Sequence, residues 1–396
     1  MNKTNIIGKK EKYYSASQWT LVRSRFRKNR MASIGFWFLM FLFFISIFAE
    51  ILAPYPPTAG TKEGKNRNYT FGAPQIVHIF DQDGKLTRPY IQDVKNKYSV
   101  TAEKMQRKYR VEGTKKYKVL DKFKEDETIG TITLSYFVRG SSYKMFGLFP
   151  TDIHLFGATD PKKRVHLFGT DKFGTDLFSQ CMFATRTSLS IGALAVFIAF
   201  FMALIIGGTS GYVGGYTDVG IQGTSDAIRM IPTIPLYAAF AATFPKEWSN
   251  VQIYFALTSI LGFLGWTTLA RRIRTHVLAT RSEDYILSSK LSGASGPWII
   301  RKHLLPSFTS YIIVDLIISF PYIVLGETAL SLIGLGLRRP TISWGVLMQD
   351  MTTLQAIQLT PWYFIPLIFF SLAILGFVLV GDGLRQAADP YSQMKR

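Results

Sequence analysis

The feature that most limits this chain is the apolar run from Ile34 to Ala53, IGFWFLMFLFFISIFAEILA, which carries one ionisable side chain, Glu50. A bilayer hydrocarbon core about 30 Å thick is crossed by roughly 20 apolar residues of helix. Each Leu, Ile or Phe favours insertion by about 0.3–0.6 kcal/mol, so the stretch inserts despite Glu50. Basic residues precede it, as they precede a secretory signal, but a signal core spans only about 7–15 residues. A retained first span is therefore expected. Five further blocks follow: Leu189 to Gly208, Ile228 to Phe244, Val251 to Ala270, Tyr311 to Leu332 and Tyr363 to Val380. The second of these is short and interrupted by Pro232 and Pro235, which membrane helices tolerate when neighbours satisfy the freed backbone groups. Six spans are expected, with five as the competing count.

Composition agrees with a membrane chain. Charged residues make up 18%, against about 25% in soluble domains. The lone Cys181 excludes a disulfide framework, because a bridge needs two. Basic residues then orient the spans. The first thirty residues hold Lys3, Lys9, Lys10, Lys12, Arg23, Arg25, Arg27, Lys28 and Arg30 against Glu11. Between the fourth and fifth spans lie Arg271, Arg272, Arg274, Arg281, Lys290, Arg301 and Lys302 against Glu283 and Asp284. With six spans both segments fall on one side, which the positive-inside rule makes cytoplasmic. The segment from Pro54 to Thr185 must then lie outside, although it carries 22 Lys and Arg against 14 acids. Loops longer than about 60 residues escape the rule. The +20 net charge is assigned to solvated surface and lipid headgroups, and no nucleic acid is expected.

The outer segment has its own secondary structure. In Gly130 to Gly140 (GTITLSYFVRG), Ile132, Leu134, Tyr136 and Val138 alternate with polar residues, the pattern of a strand with one buried face. Tyr117 and Val119 point to a partner strand, Asp83-Gly84 to a hairpin turn, and Asp93 to Arg110 to a helix. Asp81-Gln82-Asp83-Gly84 opens like a calcium loop but lacks the third oxygen ligand and the Glu at its twelfth position. The five histidines (His78, His154, His166, His276, His303) never show zinc spacing, so no metal is predicted. A short echo runs through His154-Leu-Phe-Gly-Ala-Thr-Asp160, His166-Leu-Phe-Gly-Thr-Asp171 and Phe173-Gly-Thr-Asp176. Aromatic residues with Gly and Asp just before a span predict an interfacial turn that fixes how the helix enters.

No G-x-x-x-x-G-K-[ST], G-x-S-x-G or H-E-x-x-H occurs, so nothing supports ATP binding by a P-loop or an enzyme. A channel, a transporter or an anchored outer receptor remains. Asp315 and Glu327 fall near the ends of the fifth span, and such acids raise an ion-coupled carrier as an alternative. Gly207, Gly211 and Gly215 recur every four residues, a spacing that permits close helix packing. On the inner side, Arg281 to Pro306 (RSEDYILSSKLSGASGPWIIRKHLLP) is amphipathic and breaks at Gly293-Ala294-Ser295-Gly296-Pro297. Two short helices around a Gly turn form a knob suited to docking a soluble partner. The same pair would also suit headgroups, and composition leaves both open.

That inner segment resembles the cytoplasmic coupling loop of binding-protein-dependent ABC importer permeases, E-A-A, three residues, G, about nine residues, then I-x-L-P. Leu287-Ser288-Ser289 stands at E-A-A, Gly293 at the Gly, followed by Ala294, and Leu304-Leu305-Pro306 at the end. The family Glu is replaced by Leu287 and both Ala by Ser. Gly169-Thr-Asp-Lys-Phe-Gly-Thr-Asp176 with Thr187-Ser-Leu resembles the first motif of the oligopeptide and dipeptide permeases. Gly211-Tyr-Val-Gly-Gly-Tyr-Thr-Asp218, Asp226 with Ile231-Pro232, and Glu327-Thr-Ala-Leu-Ser-Leu-Ile-Gly-Leu-Gly336 continue it. Ser343-Trp344-Gly345 and the tail Gly381-Asp-Gly-Leu-Arg385…Asp389-Pro390 complete the set. Arg23 to Pro57 is similar to the amino-terminal part of the C-type subunit. The likeness covers about residues 20–57 and 150–392, and omits the longer stretch 58–150.

The resemblance implies an all-α integral membrane protein of type I permease architecture with about six transmembrane helices, and the strand pattern read above adds an extracytoplasmic α+β insertion between the first two. The expected order is a cytoplasmic segment 1–33, a first helix 34–53, the insertion 54–184, a transmembrane domain 185–385 holding the coupling loop 281–306, and a cytoplasmic tail 386–396. It implies the bacterial inner membrane, a homologous second permease, two ATPase subunits that bind the ATP, and an external peptide-binding protein. The chain would hold no cofactor of its own. A non-peptide solute such as nickel is the alternative cargo.

Overall fold

The computed structural model describes residues 18–57, 71–80, 83–92, 130–145, 147–160, 163–245, 247–353 and 360–388. The expected helix over 93–110, the strand near Tyr117 and Val119, and the tail motif at Asp389-Pro390 lie outside them. Helices dominate. In chain order they are α1 (Gln18–Lys28), α2 (Arg30–Ile47), α3 (Ala49–Leu52), α4 (Leu177–Val213), α5 (Gly215–Met230), α6 (Thr233–Ala242) and α7 (Asn250–Thr280). After these come α8 (Asp284–Leu291), α9 (Gly296–Ile299), α10 (Thr309–Leu332), α11 (Trp344–Met351) and α12 (Ile365–Ala388). Strands β1 (His78–Phe80), β2 (Leu86–Gln92), β3 (Thr131–Met145) and β4 (Phe149–Ala158) fall between α3 and α4.

Among the described residues five helical stretches are long and apolar enough to cross a membrane: Arg30–Ile47, Leu177–Val213, Asn250–Thr280, Thr309–Leu332 and Pro361–Ala388. The expected span from Ile228 to Phe244 is not a single helix. Ile231 turns to extended backbone (φ −81°, ψ 126°), and α6 starts at Thr233 after Pro232. The 10 residues of α6 reach only about 15 Å at 1.5 Å per residue, half the hydrocarbon core. The first span also ends earlier than expected, at Ile47, and Glu50 lies on the short α3, paired with Arg186 of α4.

The described parts of the chain form two compact units, one from residues 1–42, 189–330 and 371–396, the other from 43–188 and 331–370. In the first, Trp266, Leu269, Ile273 and Val277 of α7 pack with Ala199 and Ala203 of α4 and with Phe308 and Ile312. Glycines set the approach of α4 to α7. A Cβ on Gly207 would lie 2.4 Å from the carbonyl oxygen of Ala270, and one on Gly211 would lie 2.8 Å from Val277. Gly215, expected beside them, is different. A Cβ there meets nothing within 4 Å, and its φ of +59° marks a turn between α4 and α5.

The same unit brings the first helices against the last one. Arg25 of α1 donates to the carbonyl of Ala387 at 3.4 Å, Asn29 bonds Gln386, and Gly383 lies against Ala32. The start of α2 and the end of α12 are thus neighbours.

The second unit holds a four-stranded antiparallel sheet in the order β1-β2-β3-β4. Gly84 (φ +72°) turns the chain between β1 and β2, as Asp83-Gly84 predicts. The alternation in β3 holds at one end only. Ile132 is buried with Ile91, Ala158 and Val165, whereas Tyr136 stays exposed. The described partners of β3 are β2 and β4.

Candidate functional site

The inner segment folds as two short helices around a glycine. Glu283 precedes α8 in extended conformation, and α8 ends at Leu291. Gly293 then adopts φ +84°, a left-handed conformation that glycine reaches without a Cβ penalty. Its N–H donates to the carbonyl of Lys290, and that of Ala294 to Ser289. Pro297 sits in the first turn of α9, where its missing N–H leaves no bond unmade. A wider helical turn, Ile300–Leu304, and a last turn, Leu305–Ser307 with Pro306 inside it, lead toward α10.

One face of this knob is anchored and the other is bare. Ile286, Ile299 and Leu304 are fully buried in the core that holds Ile273 and Val277. Gly296 lies against the ring of Tyr212. Outward, Tyr285, Leu287 and Trp298 are each more than 40% exposed, and Leu291 is 90% exposed. Leu287 and Leu291 stand four residues apart on α8, hence on one side of it. Ser288 and Gly293 are exposed and Ser289 is half-buried. The sequence reading of an amphipathic pair therefore matches the fold. What it missed is that the exposed side is itself apolar. That was legible in Leu287 and Leu291 once the buried partner of the helix was known to be Ile286.

Beside the knob, four arginines radiate from the end of α7. Arg274 grips both carboxylate oxygens of Asp218, which also accepts the Ser210 hydroxyl. Asp218 stands in the first turn of α5. Arg272 reaches Asp315 of α10 at 2.7 Å, and Arg271 pairs with Asp226. Arg281 donates to the carbonyl of Gly211 at 3.0 Å, closing the C-terminal end of α4. Sequence reading counted these arginines as orienting charge, and their partners 43 to 70 positions away were not visible in it.

The acids singled out in the fifth expected span have separate surroundings. Asp315 is the partner of Arg272, and Glu327 is fully buried on α10, with the Thr328 hydroxyl donating to it at 3.3 Å. Glu327 is thus a core residue.

In the second unit, the glycine-aspartate echo forms the turn that starts α4. One Asp171 oxygen accepts the N–H groups of Phe173 (2.8 Å) and Thr175 (2.9 Å). Asp176 caps the helix, accepting the N–H and hydroxyl of Ser179, each at 2.7 Å, with His166 at 3.1 Å on its other oxygen. Arg339 bridges Asp171 (3.0 Å) and Asp350 (2.7 Å), and Lys172 adds a bond to Asp350 at 2.8 Å. His154, from the first copy of the echo, lies apart on β4, with Nδ1 2.7 Å from the carbonyl oxygen of Ala53.

Against known proteins, residues 195–391 match the family described as binding-protein-dependent transport system inner membrane component. Residues 17–74 match the N-terminal TM domain of oligopeptide transport permease C. The oligopeptide transport system permease protein OppC of Bacillus subtilis (strain 168) is 32% identical over 238 residues, 60% of this chain and 75% of that one. The dipeptide transport system permease protein DppC of the same organism is 34% identical over 232 residues, 58% and 70% of the two chains. An OppC of Mycobacterium tuberculosis (strain ATCC 25618 / H37Rv) is 30% identical over 264 residues, 65% and 87%.

Proposed function

Since the chain belongs to the binding-protein-dependent transport system inner membrane component family, we propose that it is one of two permease subunits of an ATP-driven importer for oligopeptides or dipeptides. As a family member it is an inner-membrane transport component and not an enzyme. The peptide cargo rests on relatives named oligopeptide and dipeptide permeases. The single observation that carries coupling is the knob of residues 284–307. Its inner face is sealed into the bundle by Ile286, Ile299 and Leu304, and its outer face leaves Leu287, Leu291 and Trp298 bare. Exposed apolar side chains on a polar loop favour a partner surface over solvent.

In this reading the knob enters a cleft of an ATPase subunit, with Leu287, Ser288 and Ser289 leading and Gly293 and Ala294 making the turn, before Pro306. ATP-driven closure of two ATPase subunits switches the pathway between this chain and a homologous permease from inward- to outward-facing. A lipid-anchored or periplasmic binding protein then delivers peptide from outside. ATP is bound by the partner subunits. Both basic segments, 1–33 and 271–302, face the cytoplasm, and the insertion 54–184 faces outward. The ion-coupled carrier alternative loses ground because Asp315 already pairs with Arg272.

Affinity purification of the tagged chain from membranes, with mass spectrometry of what accompanies it, tests the proposal. A second permease and two ATPases in stoichiometric amount are expected. A chain that purifies alone, under conditions that keep other importers intact, contradicts it.

A further inference from the structure

The coupling knob has two feet, the end of α7 at Thr280 and the start of α10 at Thr309. A push on a two-footed knob either moves both helices together or splays them. What decides between these is whatever ties the feet to each other above the knob. Arg272 lies eight residues before the end of α7, and Asp315 six residues after the start of α10. At 1.5 Å per residue these are about 12 Å and about 9 Å up the two helices, and the two side chains meet at 2.7 Å. Between this brace and the knob, the His276 ring stacks on Phe308 (centroids 5.2 Å) and touches Tyr311 (5.0 Å). Arg274 with Asp218 and Arg281 with the Gly211 carbonyl tie the same end of α7 to α5 and α4.

We infer that Arg272 and Asp315 are positioning residues for energy coupling: their ion pair cross-braces the two feet of the knob, so that motion of the ATPases reaches α7 and α10 as one rigid displacement. The inference rests on the importer reading above. Asp315 side-chain exposure is 18% and that of Arg272 is 38%, so the pair is only partly screened, and neutralising one member leaves the other in a poorly solvated place. The apolar core of Ile273, Val277, Phe308 and Ile312 still holds the helices together when the brace is removed. The expected defect is therefore slippage rather than unfolding.

The test uses the intact complex, with its second permease, ATPases and binding protein, in proteoliposomes. ATP hydrolysed per radiolabelled tri-alanine imported is measured for Arg272→Gln, Asp315→Asn, Arg272→Lys and the exchange Arg272→Asp with Asp315→Arg. Both neutral variants should keep their ATPases on purification yet raise the ratio roughly fivefold or more, within the usual range of coupling free energies. Arg272→Lys and the exchange should restore it toward the wild-type ratio. An unchanged ratio in either neutral variant overturns the inference. Loss of the ATPases from both neutral variants also overturns it, because that marks a structural role. A wild-type complex without ATP-driven uptake would instead sink the importer reading itself, and this inference with it.

Discussion

Gly293 holds φ at +84°, and a Cβ built on it meets nothing within 4 Å. A side chain there is therefore strained by the backbone, at about 1–2 kcal/mol, but clashes with nothing inside the chain. Gly293→Arg should leave the protein folded and inserted, yet abolish peptide uptake, because the added side chain meets the ATPase instead. Ser288→Ala changes an exposed hydroxyl toward the family residue and should leave uptake unaltered. If the knob lay on headgroups, Arg at 293 would be harmless or slightly favourable. Uptake and ATPase co-purification of the two variants separate these outcomes. Gly207 behaves oppositely. Its missing Cβ is filled by Ala270 backbone 2.4 Å away, so nothing flexible can yield. Gly207→Leu should part α4 from α7 and cost upwards of about 3 kcal/mol, read as loss of a monodisperse peak in detergent. Gly215→Ala, with open space and only its φ of +59° against it, should cost about 1–2 kcal/mol and keep that peak.

At the scale of elements, the start of α4 depends on one carboxylate. Asp176 accepts both the N–H and the hydroxyl of Ser179, so Asp176→Ala should destabilise the protein by about 0.5–2 kcal/mol. A lowered unfolding midpoint in detergent is the check, and Asp176→Asn should recover most of it. This turn was legible in the sequence, because Gly and Asp repeat at short spacing where a helix must begin. The long apolar helices were legible too, since hydrophobicity over about 20 residues outweighs local detail. The third expected span was not. Pro232 flagged weakness, but whether a proline kinks or ends a membrane helix depends on neighbours that satisfy the freed carbonyls, and those lie elsewhere in the chain. The arginines after Ala270 show the same limit. Their charge was countable, whereas their pairing with Asp218, Asp226 and Asp315 depends on how α5 and α10 lie against α7. Gly215 was misread for a related reason. A four-residue spacing describes a face only while the helix continues, and α4 stops at Val213.

At the scale of the molecule, the neighbouring ends of α1 and α12 suit the even number of crossings that the proposed topology needs. The basic flanks then set the sign of the topology. With Cys181 replaced by Ser, a single cysteine at Leu148, on the exposed turn between β3 and β4, should react with an impermeant thiol reagent in intact cells. One at Ser282 should react only after permeabilisation, and the reverse pattern would invert the topology. The central claim is that this chain carries peptide only when ATPases push on it. The most direct measurement is uptake of radiolabelled tri-alanine into proteoliposomes holding the chain with its second permease, ATPases and binding protein. Uptake is predicted to require ATP and the ATPase subunits and to be indifferent to an imposed proton gradient. Uptake by the chain alone, driven by that gradient without ATP, would contradict the account.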